Sequence, residues 1–420
     1  MTLTLLPANE IRYDVGNSLF PTGSRRFDLT EFEARFGSSI PLEKRADLEA
    51  LLSRIEQAGV HGRGGAHFPS AVKIRSAILA GAGGTVIANA AEGEPSAAKD
   101  AALWQTNPHL VLRGLAAVGA LTQAKSLGVW VHEDSYSTRS SMAGAFKERA
   151  AAEIDRLPLR AYLAPHRYVS GEASAIINAV QGGSAVPKFF PTKSRAWGEG
   201  NAPVLVFNSE TLAHIGLLAS SLNWAPLEST LVTLLTLNGR YVREVSSDTT
   251  FAELLEPSDQ AEHVLLGGYG GQWVNWQDIA HSRVHEASLA GQGLSLGAGI
   301  VAPLPNSHCG LIETSRIVEW MASQSAQQCG PCIFGLQWLA EDIQALAAGG
   351  RKVIGALDRL NDRLPQLMKR GACSHPDGVV RMTNTALEVF ASEISLHRKN
   401  KCSASSTQPF FPTESEIHAV

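Results

Sequence analysis

Thr85-Val86-Ile87-Ala88-Asn89-Ala90-Ala91-Glu92-Gly93-Glu94-Pro95 is apolar for its first half and polar from Asn89 onward. Consecutive apolar positions without alternation describe a strand over 85–90 that is buried on both faces. Such strands belong in a parallel sheet covered by helices. A polar, glycine-bearing loop at the carboxyl end of such a strand lies where open α/β sheets place ligands. Working outward, 42–58 and Pro108–Leu121 read as helices, 127–132 as a strand, and 137–154 as an Ala-rich helix. A further strand, Val204–Asn208, runs into a helix from Ser209 to about residue 222. This alternation predicts an α/β domain with a mainly parallel sheet over residues 1–222.

The character changes near Asn223. Residues 230–237 form a Leu/Thr/Val-rich run that ends at Asn238-Gly239, a hairpin dipeptide, with 241–245 as the returning strand. A short capped helix at 250–255 and a strand at His263–Leu266 follow. Strand, hairpin, helix and strand in so short a span suggest a β-grasp module over 223–300. Four segments with helical apolar spacing, 311–325, 333–348, 352–370 and 383–399, predict a helical bundle over 301–402. The Ser/Pro/Thr-rich stretch 403–420 is predicted to be disordered. No internal repeat or long low-complexity region is present.

The 420 residues are 44% hydrophobic and 18% charged, with net charge −4. Mixed charge of this size calls for neither nucleic acid nor an anionic membrane as partner. No apolar run reaches the roughly 18–20 residues that span a bilayer. Residues 1–10 lack a basic region and a cleavage site, so no signal peptide is expected and the expected location is cytoplasmic. Five cysteines are few and odd in number. Cys329-Gly330-Pro331-Cys332 in such a chain points to metal or redox chemistry more than to a disulfide framework.

Five segments carry candidate chemistry. Gly62-Arg63-Gly64-Gly65-Ala66-His67-Phe68-Pro69, with Lys73 beyond, can bring backbone N–H groups close to a phosphate or a planar ring. Arg63 and Lys73 can add positive charge; a plain structural turn is the bland reading. Asn89, Glu92 and Glu94 can bind hydroxyls or an amide, or form a solvated acidic loop. Tyr168-Val169-Ser170-Gly171-Glu172 is a third polar segment. Ser209-Glu210-Thr211 either presents a helix N-terminus to an anion or simply caps its helix. Cys329, Cys332 and the distant Cys373 offer three soft ligands, suited to an iron–sulfur cluster. Zinc, a dithiol pair and buried free thiols are the alternatives. Cys309 and Cys402 read as bystanders, and His61, His67, His109 and His166 lack the i, i+4 pairing of a helical metal site.

In this order the segments resemble one family: the NADH-binding flavoprotein subunit of respiratory complex I and the related diaphorase subunits of NAD-linked hydrogenases and formate dehydrogenases. The resemblance covers roughly residues 55–400. It rests on Gly62-Arg63-Gly64-Gly65-Ala66-x-Phe68-Pro69, Asn89-Ala90-x-Glu92-Gly93-Glu94-Pro95 with Lys99-Asp100, and Asn107-Pro108-His109-Leu110. Tyr168-x-x-Gly171-Glu172, Asn208-x-Glu210-Thr211-Leu212 and Cys329-x-Pro331-Cys332-x-x-Gly335 with Cys373 complete it. The resemblance implies an FMN- and NADH-binding α/β domain, a ubiquitin-like β-grasp domain and a helical bundle holding a [4Fe–4S] cluster. It implies that Gly62, Arg63, Gly64, Gly65, Ala66, Phe68, Lys73, Asn89, Glu92, Gly93, Glu94, Gly171, Glu172, Asn208 and Thr211 line the cofactor cleft. Glu94 and Lys73 would orient its contents, with the flavin itself carrying the chemistry. It also implies that Cys329, Cys332 and Cys373 hold the cluster.

The chain departs from the family pattern at several positions. Ala326 stands at the first cluster cysteine, His67 at a glycine, Ala91 and Ala173 at acidic residues, Ser76 at an aromatic, Ser96 at a glycine and Phe207 at an Asn. Three thiolates imply a [3Fe–4S] cluster, or a [4Fe–4S] cluster whose fourth iron takes another ligand, with Cys309 and His375 as candidates. The expected function is an NAD(P)H-oxidising electron-transfer subunit that passes electrons to a partner subunit or ferredoxin and meets a membrane only through a partner complex. Two other readings are an ion-pumping ferredoxin–NAD oxidoreductase-type subunit, whose two four-cysteine motifs are missing here, and a non-catalytic scaffold that has lost its nicotinamide site.

Overall fold

The computed structural model describes residues 10–13, 19–20, 25–81, 83–189, 203–221, 229–259 and 261–413. Its strands are β1 Glu10–Tyr13, β2 Thr85–Asn89, β3 Ser126–His132, β4 Leu159–Ala164, β5 Val204–Asn208, β6 Ser229–Thr236, β7 Gly239–Ser246, β8 His263–Leu266, β9 Gln272–Asn275 and β10 Ile300–Pro303. Four of them form a wholly parallel sheet in the order β4-β3-β2-β5.

The central strand β2 is apolar at Val86, Ile87 and Ala88 because both its faces are covered there. Val86 and Ala88 join the core shared with helices Pro108–Leu121 and Ser209–Leu218. Ile87 points the other way, into a smaller core with Ile176 and Ile177 of helix Ala173–Val180. The same alternation sends Leu205 and Phe207 to the first core and Val204 and Val206 to the second. Each fully buried aliphatic chain contributes roughly 1.5–3 kcal/mol. The two large helices cross at Gly114 and Gly216, where a Cβ would run into the Leu212 and Leu110 carbonyls. This close crossing holds the start of helix Ser209–Leu218 at the carboxyl edge of the sheet.

A second sheet has the order β1-β7-β6-β10-β8-β9. β6 and β7 form the expected hairpin, but its turn is Leu237-Asn238; Gly239, at φ +128°, already pairs with Thr236 as the first residue of β7. β10 returns parallel to β6 and antiparallel to β8. Thr250 and Glu253 close a capping box on the short helix Phe251–Leu254 beside this sheet. The sheet differs from the sequence division at both ends. β1 lies in the segment assigned to the first domain but pairs with Tyr241–Glu244 of β7. β10 runs past residue 300, because its Ile300 and Val301 complete the pairing with β6.

The C-terminal region comprises helices Gly310–Ser323, Leu336–Ala348, Lys352–Leu367, His375–Val389 and Ala391–His397 around a common apolar core. A π-helical turn, Pro331–Gly335, leads into the second of these and carries Cys332. The helix expected over 383–399 starts earlier, at His375, behind Pro376 at its first turn, and breaks at Phe390. Phe390 packs against Trp273 and His263. The tail also differs from expectation, since 403–413 is seated on the bundle. Phe411 is buried against Tyr269 and Trp273, and the Phe410 and Phe411 N–H groups donate to the Glu313 carboxylate at 3.1 Å each. Two adjacent aromatics supply the burial that a Ser/Pro/Thr-rich composition does not suggest. Residues 414–420 of that expectation lie outside the described residues.

Candidate functional site

Asn89 and Asn208 are register partners at the carboxyl ends of the neighbouring parallel strands β2 and β5. Each uses its amide to fix a loop. Asn89 Nδ2 donates to the Gly171 carbonyl at 2.9 Å, and its Oδ1 accepts the Ala91 N–H at 3.1 Å. Asn208 Oδ1 caps the following helix through the Glu210 N–H at 2.9 Å, and its Nδ2 donates to Asp100 at 2.5 Å. The glycine loop is tied to the same helix N-terminus by the Arg63 N–H, which donates to Thr211 Oγ1 at 2.9 Å. A Cβ on Gly64 would stand 3.6 Å from Asn208 Cβ, and one on Gly171 only 3.0 Å from the Ala91 carbonyl. Gly93 passes so close to Tyr168 that a Cβ would sit 2.7 Å from its Cα. The four loops at 62–69, 89–95, 168–172 and 208–211 therefore meet at one edge of one sheet.

Within this cluster, Gly62 is held by its N–H bond to the Phe68 carbonyl, 2.9 Å. Gly65 lies at φ +92°, and the backbone of Gly64–Ala66 is exposed together with the Phe68 ring. His67 takes φ +45° and stacks on His61 at 4.5 Å, and burial lowers its pKa to about 4. Several residues expected to face the cleft are turned elsewhere. Lys73 donates to the Val206 carbonyl and lies 4.6 Å over the Phe207 ring; burial lowers its pKa to about 8. Glu92 caps helix Lys99–Thr106 through the Asp100 and Ala101 N–H groups at 3.0 and 2.8 Å. Burial, with Asp100 adding to it, raises Glu92 to about 7. Glu94 is buried and accepts the Tyr269 N–H at 2.8 Å, so it joins the first domain to the turn after β8 instead of orienting a ligand. Glu172 caps helix Ala173–Val180 through Ser174 and Ala175. The Arg63 guanidinium donates to the Ser229 carbonyl at 3.0 Å and lies 3.8 Å from Glu210.

Beneath the glycine loop lies a buried ionic network whose members, Lys99, Asp100 and Glu210, stand in two of the quoted motifs but are joined only by the fold. Lys99 Nζ sits 2.8 Å from Asp100 and 2.9 Å from Glu210. Glu210 also accepts the Leu231 N–H at 2.9 Å and the Thr230 hydroxyl at 3.2 Å, both on β6. The network thus welds the site to the second sheet. The motifs named these residues, but nothing in their spacing paired Lys99 with Glu210.

The three candidate thiols lie within electrostatic reach of one another. Cys332 lies in the π-helical turn, a feature common at functional sites. Its thiol hydrogen-bonds with Cys329 and Ser325 and lies within electrostatic reach of Cys373; burial first, then Cys329, pushes it up to about 12. Cys373 accepts the His375 N–H. The His375 ring donates Nε2–H to the Met321 carbonyl at 2.9 Å, while its Nδ1 has no partner among the described residues. Cys309 is not the fourth member of this group. Its sulfur lies 3.4 Å from His397 Nε2 and 3.8 Å from Glu393, close to Cys402, so neither Cys309 nor Cys402 is a bystander. Glu393 and His397 sit one turn apart on one helix, with Cys402 five residues on, a signal that the sequence contained.

These geometries admit two groups. An isoalloxazine-sized ring fits over the open backbone of Gly64–Ala66 and beside Phe68. It does not fit in the recess behind them, which holds about 20 Å³ between Arg63, Lys99, Glu210 and Leu231, room for one water. Three thiols within electrostatic reach of one another suit an iron–sulfur cluster that has one iron without a protein thiolate.

Fold and sites together define a flavin- and iron–sulfur-type electron-transfer protein. Residues 55–217 match the family model described as the Nuo51 FMN-binding domain. Residues 313–397 match that described as the NADH-ubiquinone oxidoreductase-F iron-sulfur binding region. The chain is 26% identical over 379 residues to the NADH-quinone oxidoreductase F-2 subunit of Rhizobium meliloti (strain 1021), covering 83% of this chain and 89% of that protein. It is 25% identical over 387 residues to the corresponding NADH-quinone oxidoreductase protein of Escherichia coli (strain K12), covering 82% and 83%. In fold it resembles a chain of the NAD+-reducing [NiFe]-hydrogenase in the H2-reduced state, with TM-score 0.74 and 21% identity over 94% of this chain and 70% of that one. The chain thus carries both the FMN-binding and the iron–sulfur-binding regions of NADH-binding flavoprotein subunits and is similar to them over most of its length. No helix among the described residues is long and apolar enough to cross a membrane.

Proposed function

We propose that this chain is an NAD(P)H-oxidising subunit that binds FMN over Gly62–Phe68 and passes electrons through one cluster at Cys329, Cys332 and Cys373 to a partner protein. The observation that carries this reading is the Gly64 backbone lying open against Asn208, with the Arg63–Thr211 bond holding the loop to a helix N-terminus. When bound, FMN supplies the exchange between two-electron nicotinamide chemistry and single-electron transfer, and the cluster supplies the single-electron exit. The chain's own part is positional. Asn89 and Asn208 fix the loops on both sides of the sheet edge, and the N-terminus of helix Ser209–Leu218 offers positive potential to a phosphate. Phe68 gives an apolar face beside the open glycines.

The second sheet supports the β-grasp reading, since a hairpin and a strand returning parallel to its first arm form its centre. Ile333, Phe334 and Trp338 are exposed beside Cys332, with Phe334 and Trp338 stacked 6.0 Å apart. An apolar surface next to a cluster suits a partner that collects its electrons. The scaffold reading is favoured by one observation: Lys73 is engaged with Val206 and Phe207 instead of facing the opening. Anaerobic stopped-flow mixing of FMN-loaded protein with NADH separates the two. Loss of the flavin absorbance within seconds supports the diaphorase reading. Stable FMN binding without bleaching supports the scaffold, and failure to take up FMN overturns the flavin-site assignment.

A further inference from the structure

We propose that Cys309, Glu393, His397 and Cys402 form a structural Zn²⁺ site that clamps the C-terminal strap to the helical bundle. The ligand atoms of these four residues all lie within 4.8 Å of one another. They come from three separate places: the residue that caps helix Gly310–Ser323, the helix Ala391–His397, and the chain just beyond it. Tetrahedral zinc with bonds of about 2.3 Å to sulfur and about 2.0–2.1 Å to nitrogen and oxygen sets the edges of the ligand polyhedron. Those edges are about 3.6 Å for sulfur–nitrogen, about 3.6 Å for sulfur–oxygen and about 3.3 Å for nitrogen–oxygen. Here Cys309 Sγ to His397 Nε2 is 3.4 Å, Cys309 Sγ to Glu393 Oε1 is 3.8 Å, and His397 Nε2 to Glu393 Oε1 is 3.2 Å. Ligands of one ion share such short edges, whereas thiolates of an iron–sulfur cluster bind different irons and stand farther apart.

The surrounding hydrogen bonds fit the same reading. His397 Nδ1 lies 2.8 Å from the Ala347 carbonyl and 3.2 Å from that of Leu346. That contact makes Nδ1 the donor and leaves the Nε2 lone pair directed at the group, the outer-shell arrangement of metal-bound histidines. Cys309 Sγ accepts the Ile312 N–H, Cys402 Sγ accepts the Ala404 N–H, and Glu393 accepts the Ser403 N–H at 2.9 Å. Each anionic ligand therefore already has a backbone donor. Four protein ligands leave no open position, so the site is structural and not catalytic.

The strap begins at the site. Ser405 and Ser406 N–H groups donate to the Ser307 carbonyl at 3.0 and 2.8 Å, Phe411 enters the core, and Tyr269 Oη donates to the Pro412 carbonyl at 2.5 Å. The clamp thus fixes the segment that links the bundle to the turn after β8. These four residues take no part in the proposed flavin and cluster sites.

Zinc and iron are measured together, by mass spectrometry of the full chain purified under reducing conditions without chelator. The expected result is about one zinc per chain in the parent. Cys402→Ser and His397→Gln should lose most of that zinc while iron content stays unchanged. Cys402 is exposed, so Cys402→Ser tests the site with little risk to folding. Replacing zinc by Co²⁺ should give thiolate-to-cobalt charge-transfer absorption that disappears in both variants. A parent without zinc after metal-replete growth, zinc retained in both variants, or a Cys309–Cys402 disulfide in the reduced preparation would each overturn the proposal.

Discussion

Lys99 Nζ lies 2.9 Å from Glu210 Oε2, and both side chains are almost wholly shielded, at 4% and 1% exposure. Removing one partner leaves the other charge buried, which typically costs about 3–5 kcal/mol. Lys99→Met and Glu210→Leu are each expected to lower stability by that order. The double variant should be less destabilised than the sum of the two singles. Urea unfolding followed by tryptophan fluorescence measures all three. Additive losses would show that the two side chains do not depend on each other.

Glu94 predicts a pH dependence. Burial raises its carboxyl to about 8, with Glu92 adding to the rise and the Tyr269 N–H opposing it. In the unfolded chain the group titrates near its ordinary 4.5. Between these values the folded state holds the extra proton, so its contribution is greatest below about 4.5 and declines as pH climbs to 8. The loss over that window is on the order of a few kcal/mol. Melting temperatures of Glu94→Gln should fall less across the window than those of the parent. Parallel curves would mean that Glu94 does not titrate there.

Gly64→Val separates binding from folding. A Cβ at Gly64 meets Asn208 Cβ at 3.6 Å, an ordinary contact, and the residue is exposed. The fold should tolerate the change, whereas a branched side chain over the open backbone blocks a ring. FMN affinity, read from quenching of flavin fluorescence, should drop by about tenfold or more, equivalent to about 1.4 kcal/mol. Unaltered affinity would move the flavin away from this loop.

Ala326→Cys tests the ligand count. Ala326 follows Ser325, whose side chain hydrogen-bonds with Cys332, so a cysteine there is positioned near the other thiols. Anaerobically reconstituted variant should bind more iron per chain and lose it more slowly in air than the parent. Electron paramagnetic resonance should show a reduced [4Fe–4S] signal. Cys332→Ser should lose most of the iron. A parent whose iron content and spectrum match those of Ala326→Cys would point to a protein ligand already on the fourth iron, with His375 Nδ1 the first to examine.

The sequence by itself determined the local elements and the order of the regions. The doubly buried strand Thr85–Asn89, the β6–β7 hairpin and the helical spacing after Gly310 are written in nearest-neighbour chemistry, which operates before the chain is folded. The glycine loop and the Cys329/Cys332 pair were legible for the same reason: their chemistry lies within a few consecutive residues. Tertiary structure alone decided where each charged side chain turned. Glu94 looks like a cleft residue beside Gly93, yet its carboxylate meets Tyr269, 175 residues away, and Lys99 meets Glu210 across 111 positions. It alone brought Cys309 to His397 and seated Phe411 in the core. A buried charge or thiol must take whatever partner packing brings within hydrogen-bond reach, and long-range packing is not a property of any short stretch of sequence.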